Sequence, residues 1–182
     1  MLIQLLSNHP EAVVQIVKQT PLWVGGLLAA LLALGTSQLR YRTASLVRIT
    51  VMPVAMTAFS LWGTFTAFGS SPMFTEVLIA WAAVAAVTLA LIAPGRTNAT
   101  YDGGTRTYAI PGSWVPLALI LGIFMTKYVV GVELAMQPQL ARDGQFTLVV
   151  GMLYGAFSGI FTGRAARLWR LAARPSAAAV AA

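Results

Sequence analysis

The sequence predicts an all-α membrane protein, a bundle of five transmembrane helices with a small β-hairpin in a cytoplasmic loop. Hydrophobic residues make up 58% of the chain and charged residues only 9%, whereas about a quarter of the residues in a soluble domain are charged. The apolar residues are gathered in five stretches, each close to the roughly 20 residues that a helix needs to cross a bilayer. Arginine and lysine are concentrated in alternate connectors between these stretches, as in multi-pass membrane proteins.

The five predicted spans are separated by short polar connectors, and the first and third are slightly short for a bilayer. Their bounds are Leu22–Ser37, Ile49–Phe68, Thr75–Ala93, Trp114–Met136 and Gln145–Gly163. We expect residues 22–173 to form one five-span membrane domain, which includes the basic flank that follows the last span.

The basic residues of the connectors divide unequally between the two sides of the predicted bundle. The opposite side from the C-terminus has only Lys18 and Arg142. The C-terminal side has nine arginines: Arg40, Arg42, Arg48, Arg96, Arg106, Arg164, Arg167, Arg170 and Arg174. Because cytoplasmic loops carry the excess of Lys and Arg, the N-terminus is predicted to lie outside and the C-terminus in the cytoplasm. The net charge of +7 then reflects topology and contact with lipid head groups, and we expect no nucleic-acid partner.

The two ends of the chain lie outside the predicted spans. Residues 1–21 are predicted to contain a short helix along the outer interface, with Val13, Val14 and Val17 on one side. This segment has no basic start and is interrupted by polar residues, so we expect no cleaved signal peptide. The alanine-rich tail, residues 174–182, is predicted to be disordered.

The loop between the third and fourth spans has the pattern of a β-hairpin. Two β-favouring segments, Ala99–Tyr101 and Thr105–Tyr108, flank the sequence Asp102-Gly103-Gly104, and Asp-Gly is a favoured tight-turn pair. Because an isolated two-stranded hairpin is only marginally stable, we expect it to pack on the cytoplasmic end of the bundle.

Glycines recur at every fourth residue of the fifth span, like a glycine zipper: Gly151, Gly155, Gly159 and Gly163. Glycine at this spacing leaves a flat groove that lets another helix approach backbone to backbone. The approaching helix can belong to the same chain, or to a second copy in a homodimer through span five. The sequence leaves both alternatives open.

Lys127 is the one basic residue placed deep inside a predicted span. It lies about 12 residues into the fourth span, roughly 18 Å from the cytoplasmic end, which is too far for its side chain to reach water easily. A charged amine at such a depth costs about 3 kcal/mol. Glu133 is six positions further on and cannot pair with Lys127 within the helix. We therefore expect Lys127 to be neutral, to have partners, or to face water.

Polar side chains that could surround Lys127 lie on spans two and five. Matching depths in an antiparallel bundle places Ser60 and Tyr154 level with Lys127. The candidates for a polar interior, each on a polar helical face, are Lys127, Tyr154, Ser158, Ser60, Thr57 and Thr64. We expect spans two, four and five to face this interior, and the more uniformly apolar spans one and three to face lipid.

Three interpretations of this polar interior are open. The hydroxyl groups can form a satisfied hydrogen-bond network that fixes helix packing, at about 0.6 kcal/mol per contact. Alternatively, Lys127 can meet an anionic solute, a lipid head group or a coupling proton, since ionisable residues inside membranes commonly mark functional sites. In the third interpretation, a partner subunit supplies the counter-charge.

Catalysis, metal binding and cofactor binding have little support in the sequence. His9 is the only histidine and lies outside the spans, the chain has no cysteine, and its five acidic residues are scattered, so no set of metal ligands is evident. Lys127 as a nucleophile would need acid–base helpers that we do not find. We expect no enzymatic activity, no metal and no cofactor.

The basic flank after span five is the predicted contact with the membrane surface. It contains Arg164, Arg167, Arg170 and Arg174, interleaved with apolar residues that can rest in the interface. We expect this flank to bind anionic lipid.

Two segments of the chain resemble a family of small proteobacterial inner-membrane proteins of unknown function. They are residues 110–132, IPGSWVPLALILGIFMTKYVVGV, and residues 154–170, YGAFSGIFTGRAARLWR, supported by residues 20–24 and 45–53. The resemblance covers about residues 20–173 and leaves Met1–Gln19 as an extension outside it. It implies a five-span protein of a bacterial inner membrane, and it implies no activity, substrate or catalytic residue.

We therefore expect a non-enzymatic accessory or assembly protein of the inner membrane, held together by the glycine groove of span five. The alternative is a small transporter or channel-like protein that uses Lys127 to neutralise an anion or relay a proton. A scaffold predicts polar stripes that are dry and bonded to each other. A transporter predicts water that reaches Lys127 from one side.

Overall fold

The computed structural model describes Lys18 and residues 20–173, which form five main helices and a small β-sheet. The helices are α1 (Leu22–Ser37), α2 (Leu46–Phe68), α3 (Phe74–Ile92), α4 (Val115–Met136) and α5 (Gly144–Ala173), and a 3₁₀ turn at Pro138–Arg142 precedes α5. All five predicted helices are confirmed, and α5 continues past the predicted end of its span at Gly163. The predicted interfacial helix, the disordered tail and Arg174 lie outside the described residues.

Length separates α1 from the other four helices. Among the described residues, α2, α3, α4 and α5 are long and apolar enough to cross a membrane. Helix α1 is also apolar, but its 16 residues cover only about 24 Å, less than the roughly 30 Å of a hydrocarbon core. The described part of the chain therefore has four candidate spans and one shorter apolar helix, and the crossing of a membrane five times stays a prediction.

The chain divides into two compact units. In the described part of the first unit, α1 and α4 lie antiparallel. The N–H of Ser113 donates to the carbonyl of Gln38 at 3.1 Å, and Leu117 packs so closely on Gly35 that a Cβ atom there would clash with its side chain. At the other end of the pair, the hydroxyl groups of Thr20 and Tyr128 share a hydrogen bond of 2.6 Å.

The second unit contains α2, α3, α5 and the sheet. One face of α2 is buried, and its residues follow helical spacing: Ile49, Pro53, Ser60, Thr64 and Phe68. The ring of Phe68 meets that of Phe146 edge to face, with centroids 6.3 Å apart. The indole N–H of Trp169 donates to the hydroxyl of Thr50 at 3.1 Å. Because the end of α2 lies beside the start of α5, and the start of α2 beside the end of α5, these helices are antiparallel.

Local side-chain caps explain where α2 and α5 begin. The hydroxyl of Ser45 accepts the backbone N–H of Arg48 at 3.4 Å. The carboxylate of Asp143 accepts the backbone N–H of Phe146 at 2.7 Å. Each cap satisfies an N–H group that has no partner within its helix, and a carboxylate is also favourable at the positive end of the helix dipole.

The predicted hairpin is confirmed, and it belongs to a three-stranded antiparallel sheet. The strands are β1 (Arg42–Ser45), β2 (Thr100–Asp102) and β3 (Thr107–Ile110), in the order β1-β3-β2. Strand β1, which comes from the connector before α2, was not predicted. It pairs with β3 so that Ala44 lies opposite Tyr108, and this third strand gives the hairpin the support that an isolated pair lacks.

The hairpin turn is held by the side chain of Asp102. Its carboxylate accepts the hydroxyl of Thr105 at 2.7 Å and the backbone N–H of Gly104 at 2.9 Å. These hydrogen bonds, that of Thr105 above all, lower the pKa of Asp102. Arg106 closes the turn with a φ of 52°, a left-handed conformation that is uncommon for a residue other than glycine.

Tyr108 anchors the sheet to the C-terminal part of α5. Its side chain has no exposed surface and packs in a cluster with Ala44, Ile49 and Ala165. Its hydroxyl has no hydrogen-bond partner among the described residues. Burial, followed by the neighbouring Tyr101, raises the pKa of Tyr108, so this phenol is neutral at physiological pH. The sheet is thus fixed to α5 by apolar contact rather than by hydrogen bonding.

Replacing Tyr108 by Phe tests this account of the sheet. A buried hydroxyl without a partner is costly, so we expect Tyr108→Phe to leave the free energy of unfolding unchanged or to raise it by up to about 1 kcal/mol. Tyr108→Ala removes the ring and is expected to cost about 3–5 kcal/mol. Thermal unfolding of the purified protein in one detergent compares the variants. A Phe variant clearly less stable than the wild type would show that the hydroxyl has a partner.

Candidate functional site

The glycines of α5 face α3 along the whole length of the contact. A Cβ atom at Gly155 would clash with the backbone carbonyl of Trp81, and one at Gly159 would lie 2.5 Å from the carbonyl oxygen of Ala85. Gly151 lies against Val77 in the same way, and Gly163 lies against Ile92. Successive contacts on α3 and α5 advance in the same direction, so the two helices are parallel and touch backbone to backbone.

This contact changes the place expected for α3. We expected span three to face lipid because it is almost wholly apolar. One side of α3 packs in the glycine groove of α5, which that expectation did not include, while Ile79, Val87 and Leu91 on its other sides stay exposed. The apolar composition of α3 gives no sign of this, since residues as small as Ala85 pack against glycine without any polar group. The groove is occupied by a helix of the same chain, which is the first of the two alternatives that the sequence left open.

A buried polar cluster joins the three long helices of the second unit. The indole N–H of Trp81 on α3 donates to the hydroxyl of Ser60 on α2 at 3.1 Å. The same hydroxyl donates to the backbone carbonyl of Tyr154 on α5 at 3.4 Å. Ser60 therefore accepts from one neighbouring helix and donates to another, and this single hydroxyl links α2, α3 and α5.

The other hydroxyls of this cluster are bonded to the backbone of their own helices. Thr64 donates to the carbonyl of Ser60 at 3.0 Å, and Ser158 donates to the carbonyl of Tyr154 at 3.0 Å. The side chain of Thr64 is fully buried, Ser158 is 4% exposed and Ser60 is 9% exposed. Thr57 lies half-buried on the same helix. Such hydrogen bonds satisfy buried hydroxyl groups within their own helices.

The structure brings together only part of the predicted polar interior. Ser60, Thr64, Tyr154 and Ser158 belong to one cluster in the second unit, whereas Lys127 lies half-buried on α4 in the first unit. In that unit, the rings of Phe124 and Tyr128 stack with centroids 6.3 Å apart. The position of Lys127 at the centre of a polar interior stays a prediction.

Trp81 is the member of the cluster that the sequence analysis missed. It lies in the middle of α3, among residues that are mostly alanine, valine, leucine and isoleucine. The available signal was the indole N–H itself, because a tryptophan far from the interface must find an acceptor for that group. Ser60 supplies this acceptor.

Two arginines of the basic flank hold the end of α3. Arg167 donates through Nε to the carbonyl of Ile92, and Arg170 donates to the carbonyl of Ala93 at 3.1 Å. Carbonyl groups at the end of a helix have no partner within it, and cations are favourable there. The guanidinium of Arg167 also lies against Gly95, where a Cβ atom would clash with it. Arg167 and Arg170, two members of the predicted lipid-binding flank, therefore stabilise the C-terminal end of α3.

Acidic side chains in the described residues lie far apart in the sequence and in different elements. Asp102 holds the hairpin turn and Asp143 caps α5, while Glu76 lies in the first turn of α3. No group of three histidine, cysteine, aspartate or glutamate side chains that could hold a metal is found in the described part of the chain. His9 lies outside it.

The close contact of α3 and α5 predicts that a methyl group added at Gly155 destabilises the protein, whereas one added at a glycine outside this contact does not. We expect Gly155→Ala to reduce the free energy of unfolding by about 1–3 kcal/mol, because the new methyl meets the backbone of α3, which cannot move aside easily. Gly131→Ala on α4 is the matched control, since nothing lies within 4 Å of a Cβ atom there. The control is expected to be neutral or stabilising. Equal effects in thermal unfolding would contradict the close contact at Gly155.

The link between α2 and α3 predicts energetic coupling between Ser60 and Trp81. In a double-mutant cycle of Ser60→Ala and Trp81→Phe, we expect a coupling of about 0.6 kcal/mol, the average for hydrogen bonds between membrane helices. Thr66→Val with Trp81→Phe serves as the control, because Thr66 donates to a carbonyl of its own helix. Strictly additive losses for the first pair would exclude the Ser60–Trp81 hydrogen bond.

Comparison with known proteins gives a family and no activity. No curated protein and no solved structure matches the chain. One family model matches residues 1–179, a range that includes Met1–Gln19, the segment that the resemblance in the sequence had left outside. Nearly the whole chain is thus covered by one model. The protein belongs to the family of unknown function DUF6622.

Proposed function

We propose that this protein is a non-enzymatic accessory or assembly protein of a bacterial inner membrane, in which its helices form a rigid scaffold. The observation that carries the proposal is the bonding of the polar cluster. Ser60 has a partner on both neighbouring helices, and Thr64 and Ser158 are bonded to backbone carbonyls. Polar groups that satisfy one another in this way fix helix packing.

Helix directions support a multi-pass arrangement. Helix α3 runs parallel to α5, and α2 runs antiparallel to α5. If α3 and α5 both cross the membrane, the chain must return across it between them, and α4 is the long apolar helix in that part of the chain. Helices α2 to α5 then cross the membrane four times in alternating directions. We propose the shorter apolar helix α1 as a fifth crossing at the N-terminal end.

The position of the sheet supports the proposed orientation. Strands β1, β2 and β3 come from the two connectors that follow α1 and α3, and they pack beside Ala165 near the C-terminal end of α5. Both arginine-rich connectors and the basic flank of α5 therefore lie at the same end of the second unit. An excess of arginine marks the cytoplasmic side, so we place this end, and the C-terminus, in the cytoplasm and the N-terminus outside.

Labelling of single cysteines tests the scaffold and the orientation together, because the natural chain has no cysteine. We expect Ser158→Cys to resist a maleimide reagent in intact membranes and to react only after denaturation. Gly103→Cys lies in the exposed hairpin turn, with open space around a Cβ atom, and is expected to react from the cytoplasmic side. Ser70→Cys, exposed between α2 and α3, is expected to react from the outside.

The same experiment distinguishes the small transporter or channel that uses Lys127. Water that crosses the bundle would let Ser158→Cys or Ser60→Cys react in intact membranes from one side. That result would overturn the scaffold and favour the transporter. Reaction of Gly103→Cys from outside would instead overturn only the proposed orientation.

A further inference from the structure

Arg42 lies on the face of the sheet that is turned towards α5. Residues two apart on a strand share a face, and Ala44, two residues after Arg42, packs against Ala165 of α5 in the buried cluster. Ile110, the partner of Arg42 on β3, also packs on this cluster. The guanidinium of Arg42 is thus half-buried at the junction between the sheet and α5.

Two arginines lie within electrostatic reach of Arg42. Burial, followed by the charge of Arg48, lowers the pKa of Arg42, but an arginine stays protonated at physiological pH. Arg164 on α5 lies within electrostatic reach of both Arg167 and Arg42. Arg48, Arg42 and Arg164 therefore form a group of like charges, contributed by α2, β1 and α5.

The members of this group differ from the arginines that hold the end of α3. Arg167 and Arg170 donate to backbone carbonyls. Among the described residues, the side chains of Arg42, Arg48 and Arg164 donate no hydrogen bond and pair with no carboxylate. Three half-buried or clustered cations without a counter-charge raise the electrostatic energy of the fold unless an anion neutralises them.

We propose that Arg42, Arg48 and Arg164 form a binding site for a phosphate group. A guanidinium can donate two parallel hydrogen bonds to phosphate oxygens. Proteins therefore often bind a phosphate group with arginine side chains. The N-terminus of α2, which begins beside β1 at Leu46, adds the positive end of a helix dipole. The phosphate is that of an anionic phospholipid head group or a free phosphate ion. The site does not depend on the scaffold role proposed above.

Two of these three residues differ from the lipid contacts expected from the sequence. The contact with anionic lipid predicted from the sequence comprises Arg164, Arg167, Arg170 and Arg174. The site proposed here lies nearer the sheet: it shares Arg164 with that set and adds Arg42 and Arg48, whereas Arg167 and Arg170 donate to backbone carbonyls.

Binding to the purified full chain in an uncharged detergent tests the site. The probes are inorganic phosphate, short-chain phosphatidylglycerol and short-chain phosphatidylcholine at equal ionic strength, and the readout is the rise in melting temperature with probe concentration. We expect phosphatidylglycerol, phosphate or both to raise the melting temperature. Arg42→Gln and Arg164→Gln are each expected to weaken the apparent affinity about tenfold. Arg96→Gln, an exposed arginine in the connector before β2, is expected to change it less than about twofold.

Each outcome has a distinct meaning. A shift with phosphatidylglycerol alone identifies a lipid head group, and a shift with inorganic phosphate alone identifies a soluble ligand, and both support the site. Equal weakening by Arg42→Gln and Arg96→Gln would overturn it, because the effect would then be that of net charge. A shift with phosphatidylcholine as large as with phosphatidylglycerol, or no shift with any probe, would also overturn it.

The stability of the ligand-free variants keeps the test independent of folding defects. Since two like charges lie within electrostatic reach of Arg42, we expect Arg42→Gln without probe to melt at the same temperature as the wild type or higher. A clearly lower melting temperature would show that Arg42 is bonded within the fold and would contradict the proposal.

Discussion

The close approach of α3 to α5 is the constraint on which the second unit depends. Backbone contact between two helices requires glycine on at least one of them, and α5 supplies it at four successive turns. Little hydrophobic force acts between helices in lipid, so the helix pair is stabilised mainly by van der Waals contact and by hydrogen bonds. These hydrogen bonds can form only once the helices are close together. The Trp81–Ser60 bond is of this kind, because α3 must lie against α5 before its indole can meet a hydroxyl that also reaches Tyr154.

The parallel direction of α3 and α5 also explains the end of the unit at which the sheet and the basic flank of α5 lie. Helix α3 ends level with Gly163 of α5, so Arg167 and Arg170, which lie just beyond that level, reach the last carbonyls of α3. The further turns of α5 then offer Ala165 and its neighbours as a surface for Tyr108 and the sheet. Arg42, Arg48 and Arg164 take no part in these contacts and lie at the junction between the sheet and α5. The proposed phosphate neutralises their positive charge.

Much of the architecture was predictable from the sequence, and the reasons for the failures are physical. The five helices follow from hydropathy and the hairpin from Asp102-Gly103, since both signals are local. Strand β1 has only four residues and exists because β3 offers it an edge, which no local pattern records. Matching depths placed Ser60 level with Tyr154, and a hydrogen bond joins these two residues. Trp81 and the contact of α3 with the glycine groove were not predicted, because an apolar surface looks the same whether it meets lipid or glycine.

The central claim, that α3 of the same chain fills the glycine groove, is tested most directly by a disulfide. A Cβ atom at Gly151 lies 3.7 Å from the Cβ atom of Val77, close to the mean of about 3.8 Å in disulfides. In the cysteine-free background, Val77→Cys/Gly151→Cys should therefore oxidise in the membrane to an intrachain bond, giving a monomer whose mobility changes on reduction. A covalent dimer that forms with the pair but not with either single cysteine would contradict the account and make span five a homodimer seam.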